Sequence, residues 1–198
     1  MSQNRIKNLP AVLLASASPR RGELLRQIDV EFEQFAVDVP EERDPIEMPG
    51  EYVQRLALAK AKAGRARYRD DARPVIGADT TVVYDDMVFG KPRDQIHASA
   101  ILRRLSGVTH QVISAVAVAV ADQTKVVLSS TDVTFREISD DEIVAYWESG
   151  EPQDKAGGYA IQGLAAQFVS NINGSYSGVM GLPLFETAEL LRELGVAE

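Results

Sequence analysis

Short apolar runs and stretches of helical periodicity are interspersed along this chain without strict alternation, and this pattern restricts the fold more than any other feature. Val12–Ala15 reads as a buried strand running straight into Ser18-Pro19, a helix start with Ser18 as N-cap and Pro19 at the first helical position. Leu24, Leu25 and Ile28 give that helix its apolar stripe. Phe32–Val37 reads as a second strand, Asp38–Pro49 as an acidic, proline-bearing loop, and Glu51 to about Arg67 as a second helix with Val53, Leu56, Ala57 and Ala63 near one face. Pro74–Ala78 and Thr81–Tyr84 read as one strand around Gly77-Ala78-Asp79-Thr80, turned back by Asp85-Asp86 through Met87–Phe89. Asp94–Leu105 is helical and stops at Ser106-Gly107. Gln111–Val120 and Lys125–Phe135 predict an antiparallel pair, and Ser139-Asp140-Asp141-Glu142 a capping box opening a helix to about Ser149. A glycine-rich segment over 157–163, a short strand around Phe168–Ile172 and a helix over Leu184–Leu194 complete the series. The expected fold is α/β, with a mixed, twisted sheet flanked by helices.

Charge narrows the function. With 29 acidic and 21 basic residues the net charge is −8, which repels nucleic acid and anionic lipid at long range. A general nucleic-acid or membrane-surface binder is therefore not expected, and an anionic ligand needs cations gathered in one place. The absence of cysteine removes disulfides, thiol nucleophiles and thiolate metal sites. His97 and His110 are the two histidines, and both look structural, so a metal would be a hard cation on carboxylate oxygens. The longest apolar run, Ala115–Ala121, is far too short to span a bilayer. Arg5 and Lys7 precede the apolar run Ala11–Ala15, which is shorter than a signal-peptide core; the expected location is cytoplasmic, with 1–10 a loose extension of a single domain.

Five segments carry candidate chemistry. In Ser16-Ala17-Ser18-Pro19-Arg20-Arg21, two arginines in a first helical turn oppose the helix dipole, yet suit a bound phosphate; the plain alternative is a capped helix with two solvated arginines. Asp79 is an acid at the end of an apolar strand, which needs a partner, a metal or a catalytic role; the alternative is a turn cap. An aspartyl-phosphate phosphotransferase would commonly carry a second aspartate two positions later, where this chain has Thr81. Lys91 in Gly90-Lys91-Pro92 offers a phosphate contact or a solvated turn lysine, and no GxxxxGK[ST] loop exists. Asp38, Glu41, Glu42 and Asp44 form an acidic run that can hold magnesium or simply face water. In Asp154–Gly163, Gln162 can read a base edge while the glycines allow close backbone approach.

In this order the segments resemble the Maf family of nucleoside triphosphate pyrophosphatases. The matching blocks are Leu14-Ala15-Ser16-Ala17-Ser18-Pro19-Arg20-Arg21-Gly22-Glu23-Leu24-Leu25, the helix segment from Arg55 to Ala63, Gly77-Ala78-Asp79-Thr80, Gly90-Lys91-Pro92, Leu105-Ser106-Gly107-Val108-Thr109-His110, Tyr159-Ala160-Ile161-Gln162-Gly163 and the run from Gly174 to Pro183. They cover about Val12 to Leu194. The resemblance implies two lobes with a central cleft, a frequently dimeric assembly, a divalent cation (Mg2+ or Mn2+), and hydrolysis of a nucleoside triphosphate at the α-phosphorus to monophosphate and pyrophosphate. Asp79-Thr80 and Gln162-Gly163 look like the branch acting on dTTP and UTP. The alternatives are the sister activity on 7-methyl-GTP and a non-catalytic nucleotide-responsive regulator of septum formation.

Carried over by position, the resemblance makes Asp79 the catalytic acid, usually assigned as proton acceptor, with the alternative that it only holds the metal. Arg20, Thr80 and Gln162 match positions linked to substrate choice. Ser16, Arg21, Lys60 and Lys91 match groups lining the triphosphate site, and Glu41 matches the loop carboxylate that joins Asp79 on the metal. Four cations, Arg20, Arg21, Lys60 and Lys91, would then neutralise charge as pyrophosphate leaves an otherwise acidic protein.

Overall fold

The computed structural model describes residues 9–194; most of the expected 1–10 extension lies outside them. Among the described residues seven strands hydrogen-bond in the order β2-β1-β3-β5-β6-β7, with β4 on β3. They are β1 (Val12–Ala15), β2 (Phe32–Phe35), β3 (Val75–Tyr84), β4 (Met87–Phe89), β5 (Thr109–Val120), β6 (Gln123–Phe135) and β7 (Val169–Asn173). β1 pairs in parallel with β2 and β3, while β3–β4 and β6–β7 are antiparallel. Ala121-Asp122 alone join β5 to β6, and so short a connection makes neighbouring strands antiparallel. The sheet is therefore mixed, as the irregular interspersion of elements predicts. Among the described residues six helices accompany it: α1 (Pro19–Gln27), α2 (Pro49–Arg67), α3 (Gln95–Leu105), α4 (Asp140–Glu148), α5 (Tyr176–Met180) and α6 (Leu184–Glu193).

The chain forms two compact units, each assembled from separate stretches. One takes the sequence up to Asp79, Ser114–Leu128 and the part from Gly181 onward. In it β1 is wholly buried and α2 lays Val53, Leu56, Ala57 and Ala61 inward. The other takes Thr80–Ile113 and Ser129–Met180. Its core joins Ile101, Leu102 and Leu105 of α3, Ile143 and Tyr146 of α4, and an aromatic group of Phe135, Tyr159 and Phe168. Phe135 and Tyr159 meet edge to face at 4.8 Å, and Tyr146 and Phe168 at 5.3 Å, an arrangement favoured by ring quadrupoles.

Several boundaries differ from expectation for local reasons. β2 stops at Phe35, because its partner β1 offers only four residues to pair with. α2 begins at Pro49, where the missing N–H is no loss in a first turn, and the Glu51 carboxylate takes the Met48 N–H at 3.1 Å. Ser18 occupies the N-cap of α1 but its side chain makes no capping bond. Ile28 and Ala63 are only half-buried. Three 3-10 turns between Glu151 and Phe168 and the short helix α5 carry no periodicity long enough to be read from sequence.

Candidate functional site

Asp79 is the last residue that β3 contributes to the first unit, and it is only 9% exposed. Strand geometry puts Gly77 on the same face two residues earlier. A Cβ on Gly77 would collide with the Ala57 carbonyl oxygen and the Ala61 nitrogen, so the bare glycine lets α2 lie directly on β3. Lys60, on the same turn of α2, is thereby carried to Asp79. Its Nζ donates to Asp79 Oδ1 at 2.7 Å and pairs with Glu41 Oε1 at 2.8 Å. Burial pushes the Asp79 carboxyl above the usual carboxylate range; Lys60 and Arg21 pull it down, and Glu41 pushes it up again.

Arg21, on α1, acts on the same carboxylate through its charge. Its Nε donates to the Gly181 carbonyl at 2.8 Å and its Nη1 to Ser16 Oγ at 3.0 Å. Burial lowers its pKa, against the opposing pull of Asp79 and Glu41. This fixed guanidinium is not the solvated arginine of the plain helix-cap alternative. Ser16 Oγ also accepts the Ser18 N–H at 3.2 Å, so Ser16 serves the turn that the sequence allots to Ser18. Gln34 holds that turn from the neighbouring strand, donating to the carbonyls of Ser16 and Ser18 at 2.8 and 2.9 Å.

The acidic loop is ordered by its neighbours rather than by its own charges. Tyr52 donates to the Glu41 carbonyl at 2.9 Å; Arg55 grips both oxygens of Glu47, at 2.7 and 2.9 Å, and the Glu42 carbonyl at 2.9 Å. Of the four acids in this run, Glu41 is the one whose carboxylate reaches Lys60; Asp44 caps the N–H of Ile46 at 3.0 Å. Two carboxylates thus converge on one cationic atom. Among the described residues no group of three or more His, Cys, Asp or Glu is placed to hold an ion. A divalent cation here would have Asp79 and Glu41 from the protein and the rest of its shell from water and phosphate, a donor set that suits magnesium.

Thr80 follows on β3 as the first residue of the second unit, as the unit boundary falls between it and Asp79. Within that unit, Gly157 donates to the Gly90 carbonyl at 3.1 Å, tying the exposed turn of Lys91 to the start of the glycine-rich segment. Farther along this segment Tyr159, Ala160 and Ile161 are buried and Gln162 is exposed. Both histidines are structural. His97 Nδ1 accepts the Arg93 N–H at 3.2 Å beside the Asp94 cap, while His110 is 1% exposed with Nε2 at 2.8 Å from the Tyr159 hydroxyl. Burial pushes the His110 ring down to about 4. Gln34, Tyr52 and the Gly181 carbonyl escaped sequence reasoning, since each acts through backbone-directed bonds that no local motif marks.

The Maf-like protein family matches residues 11–194. A dTTP/UTP pyrophosphatase of Pseudoalteromonas translucida is 57% identical over 182 residues, covering 92% of this chain and 96% of its own. One of Saccharophagus degradans is 53% identical over 190 residues, 95% and 90% of the two chains. Another, of Escherichia coli O157:H7, is 52% identical over 183 residues, 92% of each. Similarity of this degree, running through nearly every element from β1 to α6, makes this chain a member of the Maf family.

Proposed function

We propose that this protein hydrolyses dTTP and UTP to the nucleoside monophosphate and pyrophosphate. The observation that carries the proposal is the meeting of two buried groups, Asp79 and Lys60, with the Glu41 carboxylate midway along β3, under the added positive charge of Arg21, in a molecule of net charge −8. The names borne by relatives of 52–57% identity support the substrate assignment.

Water attacks the α-phosphorus, the bond from that phosphorus to the β-bridging oxygen breaks, and pyrophosphate leaves with the electron pair. Asp79 accepts the proton of the attacking water. Its raised carboxyl pKa matches that work, because a base poised closer to neutrality both accepts and later returns a proton. Lys60 keeps Asp79 ionised in its buried setting until the proton arrives. Arg21, locked by Ser16 and the Gly181 carbonyl, presents a preorganised positive charge to the phosphates without reorienting during reaction. Arg20 and Lys91 add charge for the triphosphate, and Arg20, Thr80 and Gln162 choose the nucleotide. A magnesium or manganese ion held by Asp79 and Glu41 would supply charge neutralisation on the phosphate oxygens.

Product analysis of dTTP, UTP, CTP, GTP and 7-methyl-GTP in magnesium or manganese tests the proposal. Monophosphate plus pyrophosphate from dTTP and UTP is expected, with turnover abolished and nucleotide binding still measurable in Asp79→Asn. Turnover of 7-methyl-GTP alone overturns the specificity, orthophosphate as product overturns the reaction, and full activity in Asp79→Asn removes Asp79 as proton acceptor.

A further inference from the structure

Tyr146 and Glu151 belong to none of the site residues above, yet both aim polar atoms at the loop that carries Gln162. The Glu151 carboxylate accepts the Leu164 N–H at 2.9 Å on one oxygen. On the other it accepts the Tyr146 hydroxyl at 2.7 Å and the Ala165 N–H at 3.3 Å. The Tyr146 oxygen in turn accepts the Ala160 N–H at 3.1 Å. One hydrogen-bonded chain therefore grips both ends of Ala160-Ile161-Gln162-Gly163-Leu164, with Gln162 at the centre. The loop closes on itself through the Gly163 N–H and the Ala160 carbonyl at 3.0 Å. A Cβ at Gly163 would strike the Glu151 carboxylate, so the loop lies flat against its clamp. Tyr146 cannot drift, because its ring packs edge to face on Phe168.

We infer that Glu151 and Tyr146 are positioning residues that fix where the Gln162 amide points and so set the preference among nucleobases. The inference rests on the reading of Gln162 as the base-recognising residue. A side chain on a loose loop samples many orientations and rewards no one base edge; a loop backbone held by these five bonds presents its central residue from a fixed position and narrows where the amide can point. The carboxylate is the essential part. Glutamine at position 151 must turn its NH2 toward at least one of the three donors that Glu151 now satisfies.

The test compares kcat/KM for UTP and CTP, whose base edges reverse donor and acceptor at the 4-position and at N3, in wild type, Gln162→Ala, Glu151→Gln and the double variant. Glu151→Gln is expected to lower the UTP to CTP ratio at least tenfold, with KM for UTP rising more than kcat falls. In the Gln162→Ala background the same substitution is expected to move the ratio less than twofold, because its effect passes through Gln162. Tyr146→Phe, which keeps the ring and removes only the hydroxyl, is expected to act in the same direction and serves if Glu151→Gln does not fold. A lowered Tm with an unchanged ratio in both Glu151→Gln and Tyr146→Phe would mean a merely structural clamp and overturn the inference alone. An unchanged ratio in Gln162→Ala would overturn the base-reading assignment beneath it.

Discussion

Gly77→Ala is a single-methyl change with two separable consequences. The added Cβ meets backbone atoms of α2, the Ala57 oxygen and the Ala61 nitrogen, which cannot rotate aside as a side chain would. Overpacking of this kind costs about 1–3 kcal/mol. For a chain of this size, that corresponds to a fall in Tm of about 2–12 °C. The helix yields by moving off β3, and Lys60 rides on it, away from the 2.7 Å bond to Asp79. Misplacement by about 1 Å in such a constellation lowers kcat/KM by about 10²-fold. Gly50→Ala is the control on the same helix: its nearest neighbours are the Leu128 methyl groups at 3.7 and 3.8 Å, ordinary contact. There alanine is expected to stabilise by about 0.4–1 kcal/mol through the lost freedom of the unfolded chain. Thermal unfolding of both variants, with steady-state kinetics on UTP, reads the two effects. If Gly77→Ala keeps its Tm within a degree and its full kcat/KM, close approach of α2 to β3 does not position Lys60, and the account of the site fails.

Two further predictions follow from charge. Lys60→Met removes the nearest group favouring ionised Asp79, so the acidic limb of the kcat/KM profile on UTP is expected to move to higher pH; Glu41 acts oppositely, and Glu41→Gln is expected to move it lower. A limb unmoved by Lys60→Met would show that the rate does not follow Asp79 ionisation. His110 is held neutral to about 4 when folded against 6.5 in the unfolded chain, so the unfolded chain binds the proton first as pH falls. Stability is therefore complete above pH 6.5 and declines by about 3 kcal/mol toward pH 4. Urea unfolding between pH 7 and 5 is expected to show this slope in wild type and to lose it in His110→Gln, whose amide can still meet the Tyr159 hydroxyl; an equal slope in both would place the proton uptake elsewhere.

Local chemistry by itself determined most of the element series. Apolar runs marked β1 and β3, the Ser139 to Glu142 spacing marked α4, and two long runs rich in valine and threonine marked the β5–β6 pair, because hydrophobic period, capping and strand propensity are local properties of the sequence. The ordered blocks, through their resemblance to the Maf family, pointed to nucleotide chemistry and implied Asp79, Lys60 and Glu41 as candidates. Sequence could not say that Lys60 bridges Glu41 and Asp79, because that contact depends on a helix and a strand touching at Gly77. Nor could it show that Arg21 is locked by Ser16 and a carbonyl 160 residues away, or that Glu151 and Tyr146 clamp the loop of Gln162. Some of these bonds run to backbone groups, which every residue carries alike, and the others join side chains that only the packing of separate elements brings together, so no local pattern records them and the tertiary structure decides where they form.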